Sequence, residues 1–350
     1  MAQDFKTIAA EIAERIKNGT YTDTLPSISR LSEIYGVCPA TVKRILSQLR
    51  DWKLVTGEHG RCVRINPKAQ SNPYFHKNLV ILADLASIAT PFYAKTVELL
   101  SNALHSNYIC IHVFLSEDQA GECIFQPDCI LTVSNRTQVM LDRLLAQYPD
   151  CPVVSLNQPS NRFPYVMSDG HKAGHEALRH LAEDCGHTHI GVLATQLQYP
   201  QACFHQRYEG ALEYARKHPG LRLSMVEIPE LELYRQASYR LTGELFRKDS
   251  EITAVFATCD LLALGVYSYA AKQHLNIPGD LAVIGFDNEN FSQALTPPLS
   301  TLSENAQATA ECLFRIILDL LMGRKTDKIH LTDPVLLVRG STAGRQQEMS

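Results

Sequence analysis

Residues 78 to 345 alternate short apolar runs with amphipathic segments, and this alternation constrains the fold more than any other feature of the chain. The apolar runs include LVILADL, CILTV, TAVFAT and LAVIGF, and segments with helical spacing such as QVMLDRLLAQ separate them. Continuous apolar strands between helices are typical of parallel sheets that are covered on both faces. The units are too numerous for one sheet, so the sequence predicts an α/β body of two doubly wound subdomains with a cleft between them.

The polar residues directly after the apolar runs are candidates for ligand binding. In parallel sheets of this kind, ligands sit beyond the carboxyl ends of the strands. Carboxylates and amides suit a polyhydroxyl ligand because each can make two hydrogen bonds, and an arginine adds a fork of donors. Strand-end aspartates can instead cap the following helix, which is the alternative at each position. The candidates are Asp84, Ser134, Asn157, Asp169, Asp260 and Asp287, together with Arg207.

Residues 1 to 66 have a different pattern and the opposite charge. Three stretches with apolar residues at helical spacing predict three short helices, and KLVTGEHGRCVRI after them predicts two strands joined by a glycine-containing turn. Residues 1 to 70 contain 11 Lys and Arg against 7 Asp and Glu, a balance of +4, which leaves 22 against 30, or −8, for the remainder. A basic winged helix-turn-helix head on an acidic body favours DNA binding, with a protein-docking module as the alternative.

The helices of the head have recognisable ends and inner faces. The first is expected to stop near Asn18-Gly19, and the second to begin after a Ser27 cap and to end at Gly36. The predicted inner faces are Phe5, Ile8, Ala9, Ile12 and Ile16, then Leu31, Ile34 and Tyr35, then Val42, Ile45, Leu46 and Leu49. The outward face of the third helix and the wing are then expected to contact bases and phosphates. The predicted DNA contacts are Ser27, Arg30, Ala40, Thr41, Lys43, Arg44, His59 and Arg61.

Residues 67 to 77 are predicted to be a linker, because NPKAQSNPYFHK (66 to 77) holds two prolines and no apolar periodicity. The N-terminus is charged throughout, and no apolar run reaches about 18 residues, so neither a signal peptide nor a membrane span is expected. The ten cysteines include no CxxC pair. We therefore expect buried free thiols in a cytoplasmic protein.

Signals for a metal, a cofactor or catalysis are weak. His171 and His175 lie four apart on a predicted helix, with His180, His187 and His189 nearby, but the HExxH order is absent and solvated histidines are favoured. No GxGxxG follows the first strand, and the chain has neither a P-loop nor a GxSxG elbow. We expect no cofactor, no metal and no enzymatic activity.

The head resembles the DNA-binding domain of GntR-type regulators. The resemblance covers residues 1 to 66 and rests on Leu25-Pro26-Ser27, Val37, Thr41-Val42 and Gly60 in the wing. Cys38-Pro39 replaces the usual Ser-Arg pair, and Ser29, beside Arg30, replaces a usual arginine. Proline suits the first helical turn, so the fold is compatible with the change. The departures predict the loss of one or two phosphate or base contacts and an operator that differs from the usual pattern.

The body resembles the effector-binding domain of LacI/GalR-type repressors, which is itself similar to periplasmic sugar-binding proteins. The matching motifs are TPFY (90 to 93), SDGHKAGHEALRHLAEDCGHTHIGVL (168 to 193), RYEGAL (207 to 212), TAVFATCDLLALGVYSYA (253 to 270), IPGDLAVIGFDN (277 to 288) and TPPLSTL (296 to 302). The resemblance implies that Phe92, Tyr93, Arg207 and Asp287 face the ligand. At Cys259-Asp260, a thiol replaces the amide of the usual Asn-Asp pair, which predicts an unusual or differently oriented effector.

The combination of head and body resembles bacterial regulators of the arabinose-repressor type. It implies a DNA-binding transcriptional regulator, a repressor, that acts as a homodimer on double-stranded operator DNA and does not bind membranes. A small-molecule effector, expected to be a sugar, would bridge the subdomains and change the spacing of the two heads. One alternative is the solute-binding protein of a sugar transporter, which would need a signal peptide and has no use for a basic head. The other is an enzyme on a doubly wound fold.

Overall fold

The computed structural model describes residues 4–57, 62–67, 72–75, 77–123, 125–200, 202–228 and 234–342. The chain divides into two compact units, each assembled from several segments. Unit 1 comprises Met1–Asp84, Glu98–Ser155 and Leu313–Asp327, and unit 2 comprises Leu85–Val97, Leu156–Cys312 and Lys328–Ser350. The head therefore shares unit 1 with part of the body.

The head has three helices and a two-stranded ribbon, as predicted. Helices α1 (Phe5–Lys17), α2 (Ile28–Tyr35) and α3 (Pro39–Asp51) precede strands β1 (Val55–Thr56) and β2 (Arg64–Ile65), which pair antiparallel. The apolar stripes of α1 and α3 meet in one buried cluster. Their periodicity was therefore sufficient to identify the core-facing side of both helices.

The inner face of α2 departs from the prediction at one residue. Leu31 is buried, but Ile34 is 40% exposed, so the expectation that Ile34 faces the core is wrong. Ile28 and Tyr35 pack against the same cluster as Leu31. These three residues are spaced i, i+3 and i+7 and form one stripe, whereas Ile34 at i+6 falls beside it.

The ends of α2 and α3 follow local rules. The Ser27 hydroxyl accepts a hydrogen bond from the Arg30 amide at 3.2 Å, and Gly36 ends α2 with φ 61°. Cys38 occupies the N-cap position of α3 in extended backbone but makes no side-chain cap bond, and Pro39 begins the helix. Proline is compatible with this position because the first helical amides have no intrahelical partner.

The described part of the linker packs against other residues of unit 1. Phe75 is 2% exposed and belongs to the apolar cluster of the head, and its ring centroid lies 6.5 Å from that of Tyr108. Lys77 Nζ lies 2.7 Å from Asp128 Oδ1. Apolar burial and this ion pair hold the segment at both of these points.

Unit 1 holds four parallel strands of the body. They are β3 (Asn78–Leu82), β4 (Cys110–Phe114), β5 (Cys129–Thr132) and β6 (Val153–Leu156), in the order β6-β5-β3-β4. The helices along this part of the chain are α4 (Leu85–Ile88), α5 (Pro91–Ser106), α6 (Glu117–Gly121) and α7 (Gln138–Gln147). All residues of β5 and β6 are buried, in agreement with their apolar sequences.

Unit 2 contains a six-stranded sheet. The strands are β8 (His189–Thr195), β9 (Arg222–Ile228), β10 (Ala254–Ala257), β11 (Ala282–Phe286), β12 (Ser300–Ser303) and β14 (Val335–Leu337). Their order is β14-β12-β11-β10-β8-β9, and every pairing is parallel except that of β14 with β12. Two further strands, β7 (Tyr165–Ser168) and β13 (Ile329–Thr332), pair parallel with each other.

Helices alternate with these strands. They are α8 (Gly170–Arg179), which continues as a π turn over His180–Asp184, then α9 (Cys203–Lys217), α10 (Tyr234–Lys248), α11 (Asp260–Lys272) and α12 (Ala306–Leu321). The predicted fold class, a winged helix-turn-helix head with a body of parallel, doubly wound sheets, is confirmed.

Helices α8 and α9 approach closely through two glycines. A Cβ atom on Gly174 would lie 1.8 Å from the carbonyl oxygen of Arg207, and one on Gly210 would lie 1.9 Å from that of His171. Only glycine, which has no Cβ atom, allows the backbones of the two helices to approach this closely. This contact fixes the main chain of Arg207 against α8.

Candidate effector site and DNA-binding face

Arg207 and Asp287 form a half-buried ion pair at the carboxyl end of the unit 2 sheet. The Arg207 side chain is 3% exposed, and its Nη1 donates to the carbonyl oxygen of Thr258 at 2.7 Å and to Asp287 Oδ1 at 3.3 Å. Its guanidinium carbon lies 3.4 Å from the ring centroid of Phe286, within cation–π range. Asp287 follows β11 directly, as the strand-end rule predicts.

Glu304 adds a second carboxylate beside Arg207. It directly follows β12, and the Arg207 charge and the Asn157 side chain both interact with its carboxylate. Burial raises the pKa of Glu304 and raises that of Asp287 well above its ordinary value, whereas the Arg207 charge opposes both shifts. Glu304 is not among the predicted effector contacts, because the preceding strand, STLS, lacks the apolar run that marks strand ends in the sequence.

Tyr93 and Asn157 complete the unit 2 cluster, which we define as Tyr93, Asn157, Arg207, Asp287 and Glu304. Asn157 Nδ2 donates to the Tyr93 hydroxyl at 3.2 Å. Burial raises the pKa of Tyr93, and the charges of Glu304 and Asp287 raise it further. Four of the predicted effector contacts therefore lie together, with Glu304 as a fifth member. The cluster offers carboxylate, amide, phenol and guanidinium groups to a polar ligand.

Two further predicted effector contacts, Phe92 and Ser134, are not among the five residues of the unit 2 cluster. Phe92 is buried, and its ring meets that of Tyr93 edge to face with centroids 5.1 Å apart. In unit 1, Ser134 Oγ donates to Asp84 Oδ2 at 2.6 Å, and Arg136 Nη1 lies 3.6 Å from Asp84 Oδ1. These unit 1 groups follow β3 and β5 and form a polar group of their own.

Asp169 and Asp260 have structural partners. The Asp169 carboxylate accepts from the Lys172 amide at 2.9 Å and caps α8, which was the alternative reading for strand-end aspartates. Asp260 is 0% exposed, and its carboxylate accepts from Thr301 Oγ1 at 2.8 Å, from the Glu289 amide at 2.9 Å and from Ser292 Oγ. Burial raises the pKa of Asp260 to about 6. The carboxylates of Asp169 and Asp260 thus each have hydrogen-bond partners within the protein.

The predicted helix histidines make separate contacts. His171 Nε2 lies 2.8 Å from Glu213, His175 packs edge-on against Tyr214, and His180 bonds Asp184 and Thr342. Among the described residues, one group of possible metal ligands, His189, Asp249 and Glu251, has its donor atoms within 4.8 Å of one another. Its Glu251 is also 3.7 Å from Arg222.

The cysteines of the described residues are all free. Cys38 and Cys62 are exposed, so the expectation of buried thiols is wrong for these two. Both lie in the small head, where the single apolar cluster is filled by the helical stripes. The Cys38 sulfur lies 3.3 Å from Thr41 Oγ1, and this hydrogen bond lowers the pKa of the thiol.

The outward face of α3, which holds four of the predicted DNA contacts, is largely exposed. Ala40, Lys43 and Arg44 are exposed and Thr41 is half-buried. The Arg44 guanidinium lies 4.1 Å from the ring centroid of Phe5. Before α3, Ser27 caps α2, and Arg30 Nη1 pairs with Glu33 at 2.8 Å. The predicted wing contacts His59 and Arg61, together with Gly60, lie outside the described residues.

Comparison with known proteins separates the same two parts of the chain. Residues 5–65 match the model for bacterial regulatory proteins of the gntR family, and residues 178–342 match the periplasmic binding protein-like domain. The HTH-type transcriptional repressor CytR of Escherichia coli (strain K12) is 27% identical over an alignment of 318 residues, which covers 87% of this chain and 89% of CytR.

Two solved structures share the fold of the body. The transcription regulator CcpA of Lactococcus lactis aligns with a TM-score of 0.61 and 16% identity over 76% of this chain and 99% of that one. A LacI family transcriptional regulator from Enterococcus faecium with bound ribose aligns with a TM-score of 0.56 and 22% identity over 77% of this chain and 100% of that one.

The head, the sheets and these matches define the chain as a DNA-binding transcriptional regulator controlled by a ligand. More particularly, it joins a GntR-type helix-turn-helix domain to a LacI-type, periplasmic-binding-protein-like effector domain. No helix among the described residues is long and apolar enough to cross a membrane.

Proposed function

We propose that the chain is a cytoplasmic repressor whose affinity for operator DNA is controlled by a sugar bound at the unit 2 cluster. The observation that carries this proposal is the grouping of Asn157 and Asp287, which directly follow strands, with Arg207 of α9, because the hydrogen-bonding groups of all three suit hydroxyls. The Enterococcus faecium regulator, whose fold the body of this chain shares, has ribose bound, and this supports a sugar as the ligand. The likeness to arabinose-repressor-type regulators stays a prediction, so arabinose belongs among the sugars to be tested.

The proposed organisation assigns residues 1–66 to DNA, 67–77 to the connection and 78–345 to effector binding. A homodimer would bring two heads to two half-sites, and a ligand would change their spacing. The ligand can shift the equilibrium between two states of the dimer only as far as its affinities for those two states differ. The burial of Phe75 in the head cluster supports a connection that transmits movement of the body to the head.

The rival functions make different predictions about DNA. A solute-binding protein or an enzyme needs no exposed Lys43 and Arg44 beside Thr41, whereas a DNA reader uses such groups for phosphates and base edges. The relatedness to a repressor over most of the chain favours the regulator and argues against catalysis.

A mobility-shift assay tests DNA binding. The full chain should retard the DNA upstream of its own gene, and raising the salt from about 50 to about 200 mM should weaken binding by orders of magnitude. A scrambled duplex of the same length and composition is the control. Equal binding to both duplexes, or none to any neighbouring promoter, contradicts the proposal.

Thermal-shift screening with arabinose, ribose, xylose, glucose, galactose and cellobiose tests effector binding. A ligand at 100 times its dissociation constant should stabilise the native state by about 2.7 kcal/mol. Stabilisation by nucleobases or amino acids alone would overturn the sugar assignment while leaving DNA binding intact.

A further inference from the structure

His189, Asp249 and Glu251 meet at the amino ends of two neighbouring strands of the unit 2 sheet. His189 begins β8, and the two acidic residues lie in the turn between α10 and β10. Asp287 follows the carboxyl end of β11, which runs parallel to β10. The three residues therefore lie at the opposite edge of the sheet from Asp287 and form a group separate from the unit 2 cluster.

A ring nitrogen of His189 lies close to both carboxylates without a hydrogen bond to either. Its Nδ1 is 3.5 Å from Asp249 Oδ2 and 3.6 Å from Glu251 Oε2, whereas a hydrogen bond from nitrogen to oxygen spans about 2.7–3.2 Å. The His189 side chain is 20% exposed, but its Nδ1 atom is buried and has no hydrogen-bond partner among the described residues. A buried polar nitrogen normally has a partner. The arrangement therefore calls for a partner that Nδ1 and both carboxylates can share.

A zinc ion fits the spacing and the charge of this group. Zinc binds histidine nitrogen at about 2.0–2.1 Å and carboxylate oxygen at about 2.0–2.2 Å in a tetrahedral arrangement, so its ligand atoms lie about 3.3–3.5 Å from one another. The separations of 3.5 and 3.6 Å are close to this value, and one donor atom from each of the three residues lies within 4.8 Å of the others. Two carboxylates balance the double positive charge of the ion, and imidazole is a nitrogen ligand that suits zinc.

Hydrogen bonds hold two of the three ligands in position. The Glu251 amide donates to Asp249 Oδ1 at 3.0 Å, so the other carboxylate oxygen, Oδ2, is the one that faces His189. The Thr253 amide donates to the His189 carbonyl oxygen at 3.0 Å and fixes the start of β8. Bonds of this kind orient the ligands of metal sites. The Glu251 side chain is 68% exposed and can turn toward the ion.

We propose that His189 Nδ1 and the carboxylates of Asp249 and Glu251 bind a zinc ion, with a water molecule as its fourth ligand. The bound ion ties the start of β8 to the turn before β10, so it stabilises the folded chain. The proposal goes beyond the proposed function, because neither operator DNA nor a sugar takes part in this site.

The rival explanation is a set of surface ion pairs that needs no metal. Arg222 Nη1 lies 3.7 Å from Glu251 Oε2, and the Arg222 side chain is 72% exposed. Ion pairs in such exposed positions contribute little, so Arg222 is a weak competitor for a divalent ion. Under the rival explanation, zinc binding does not depend on His189 or Glu251.

Calorimetric titration of the full chain with zinc chloride tests the proposal, after dialysis against a chelator that is then removed. His189→Gln and Glu251→Gln should each weaken zinc binding by about ten-fold or more. His105→Gln, at an exposed histidine of α5, is the matched control and should bind zinc like the unaltered protein. Because Glu251 is 68% exposed, Glu251→Gln should fold normally, so the comparison holds even should His189→Gln misfold.

Titration with cobalt chloride identifies the type of ligand, since cobalt bound by nitrogen and oxygen lacks the charge-transfer absorption that thiolate ligands produce. We expect tight cobalt binding without that absorption. Tight binding that is accompanied by it assigns the metal to cysteines and overturns the proposal. The proposal also fails when the unaltered protein binds no zinc, or when both glutamine variants keep its full zinc affinity. The mobility shift of the metal-free protein tests the proposed function separately, so the two failures are distinguishable.

Discussion

The Arg207 Nη1 atom lies 3.3 Å from Asp287 Oδ1 while donating to the carbonyl oxygen of Thr258 at 2.7 Å. One guanidinium thus connects α9 with the ends of β10 and β11. Burial raises the pKa of Asp287 well above its ordinary value, and the Arg207 charge offsets part of that rise. The same contact joins α9 to the sheet edge, and in the proposed function it also holds a charged group where the effector binds.

Replacing Arg207 should therefore damage both stability and ligand response. Arg207→Met leaves Asp287 without its cation, and loss of one partner of a buried pair costs about 3 kcal/mol or more. Urea denaturation should show this loss, and calorimetry should show no effector binding. In the double variant Arg207→Met with Asp287→Asn, part of the stability should return, because no unpaired carboxylate remains. Arg222→Ala, at an exposed arginine, is the control and should behave like the unaltered protein.

The close contact of α8 with α9 predicts a second large effect. Gly174→Ala places a Cβ atom 1.8 Å from the Arg207 carbonyl oxygen, so the helices must separate or the protein must unfold. We expect a loss of about 3 kcal/mol or more and a displaced Arg207, since overpacking of a tight contact forces backbone shifts. Gly220→Ala is the matched control, because a Cβ atom there meets nothing within 4 Å. Equal melting temperatures for the two variants would contradict the close contact.

Sequence periodicity predicted the helices and strands well, but it does not reveal which side chains are hydrogen-bonded to one another. The stripe of α3 and the strand-end positions of Asn157 and Asp287 were readable because they depend on residues close in sequence. Glu304 follows a strand of mostly serine and threonine, which lacks the apolar run that marks the other strands. Asp260 as an effector contact stays a prediction, and its bonds to Ser292 and Thr301 join residues distant in sequence, which no local pattern records.

The start of α3 predicts a stabilising substitution. Cys38 sits at the N-cap with extended backbone and without a side-chain cap bond. A serine hydroxyl accepts from the helix amides far better than a thiol, so Cys38→Ser should raise the free energy of unfolding of the head by about 0.5–1 kcal/mol. Cys62→Ser, at an exposed cysteine that caps no helix, should change stability little. Thermal melts of the two variants provide the comparison, and an equal gain in both would contradict the capping argument.

Asp260 predicts a specific pH dependence. Its folded pKa is about 6, above that of the unfolded chain, so the ionised form is penalised in the folded state and the penalty is relieved as pH falls from about 6 to about 4. Asp260→Asn should remove this contribution, on the order of 2 kcal/mol across that window. Denaturation with urea at pH 4.5, 5.5 and 7.5 measures it. Asp280→Asn, at an exposed aspartate of the same unit, should keep the pH dependence of the unaltered protein.

The face of α3 predicts how DNA affinity responds to salt. Lys43 is exposed, and we expect it to contact a phosphate, so Lys43→Ala should weaken binding to all sequences and lower the slope of log affinity against log salt by about 0.9. Arg44→Ala should also lose the contact with the Phe5 ring, worth about 0.5–1 kcal/mol, so its effect on DNA must be corrected for the stability of the head. Lys6→Ala, at an exposed lysine of α1, is the control for charge alone. Because Lys6 and Lys43 carry the same charge, an equal change of slope in both variants would show that the DNA responds to total charge and not to the α3 face.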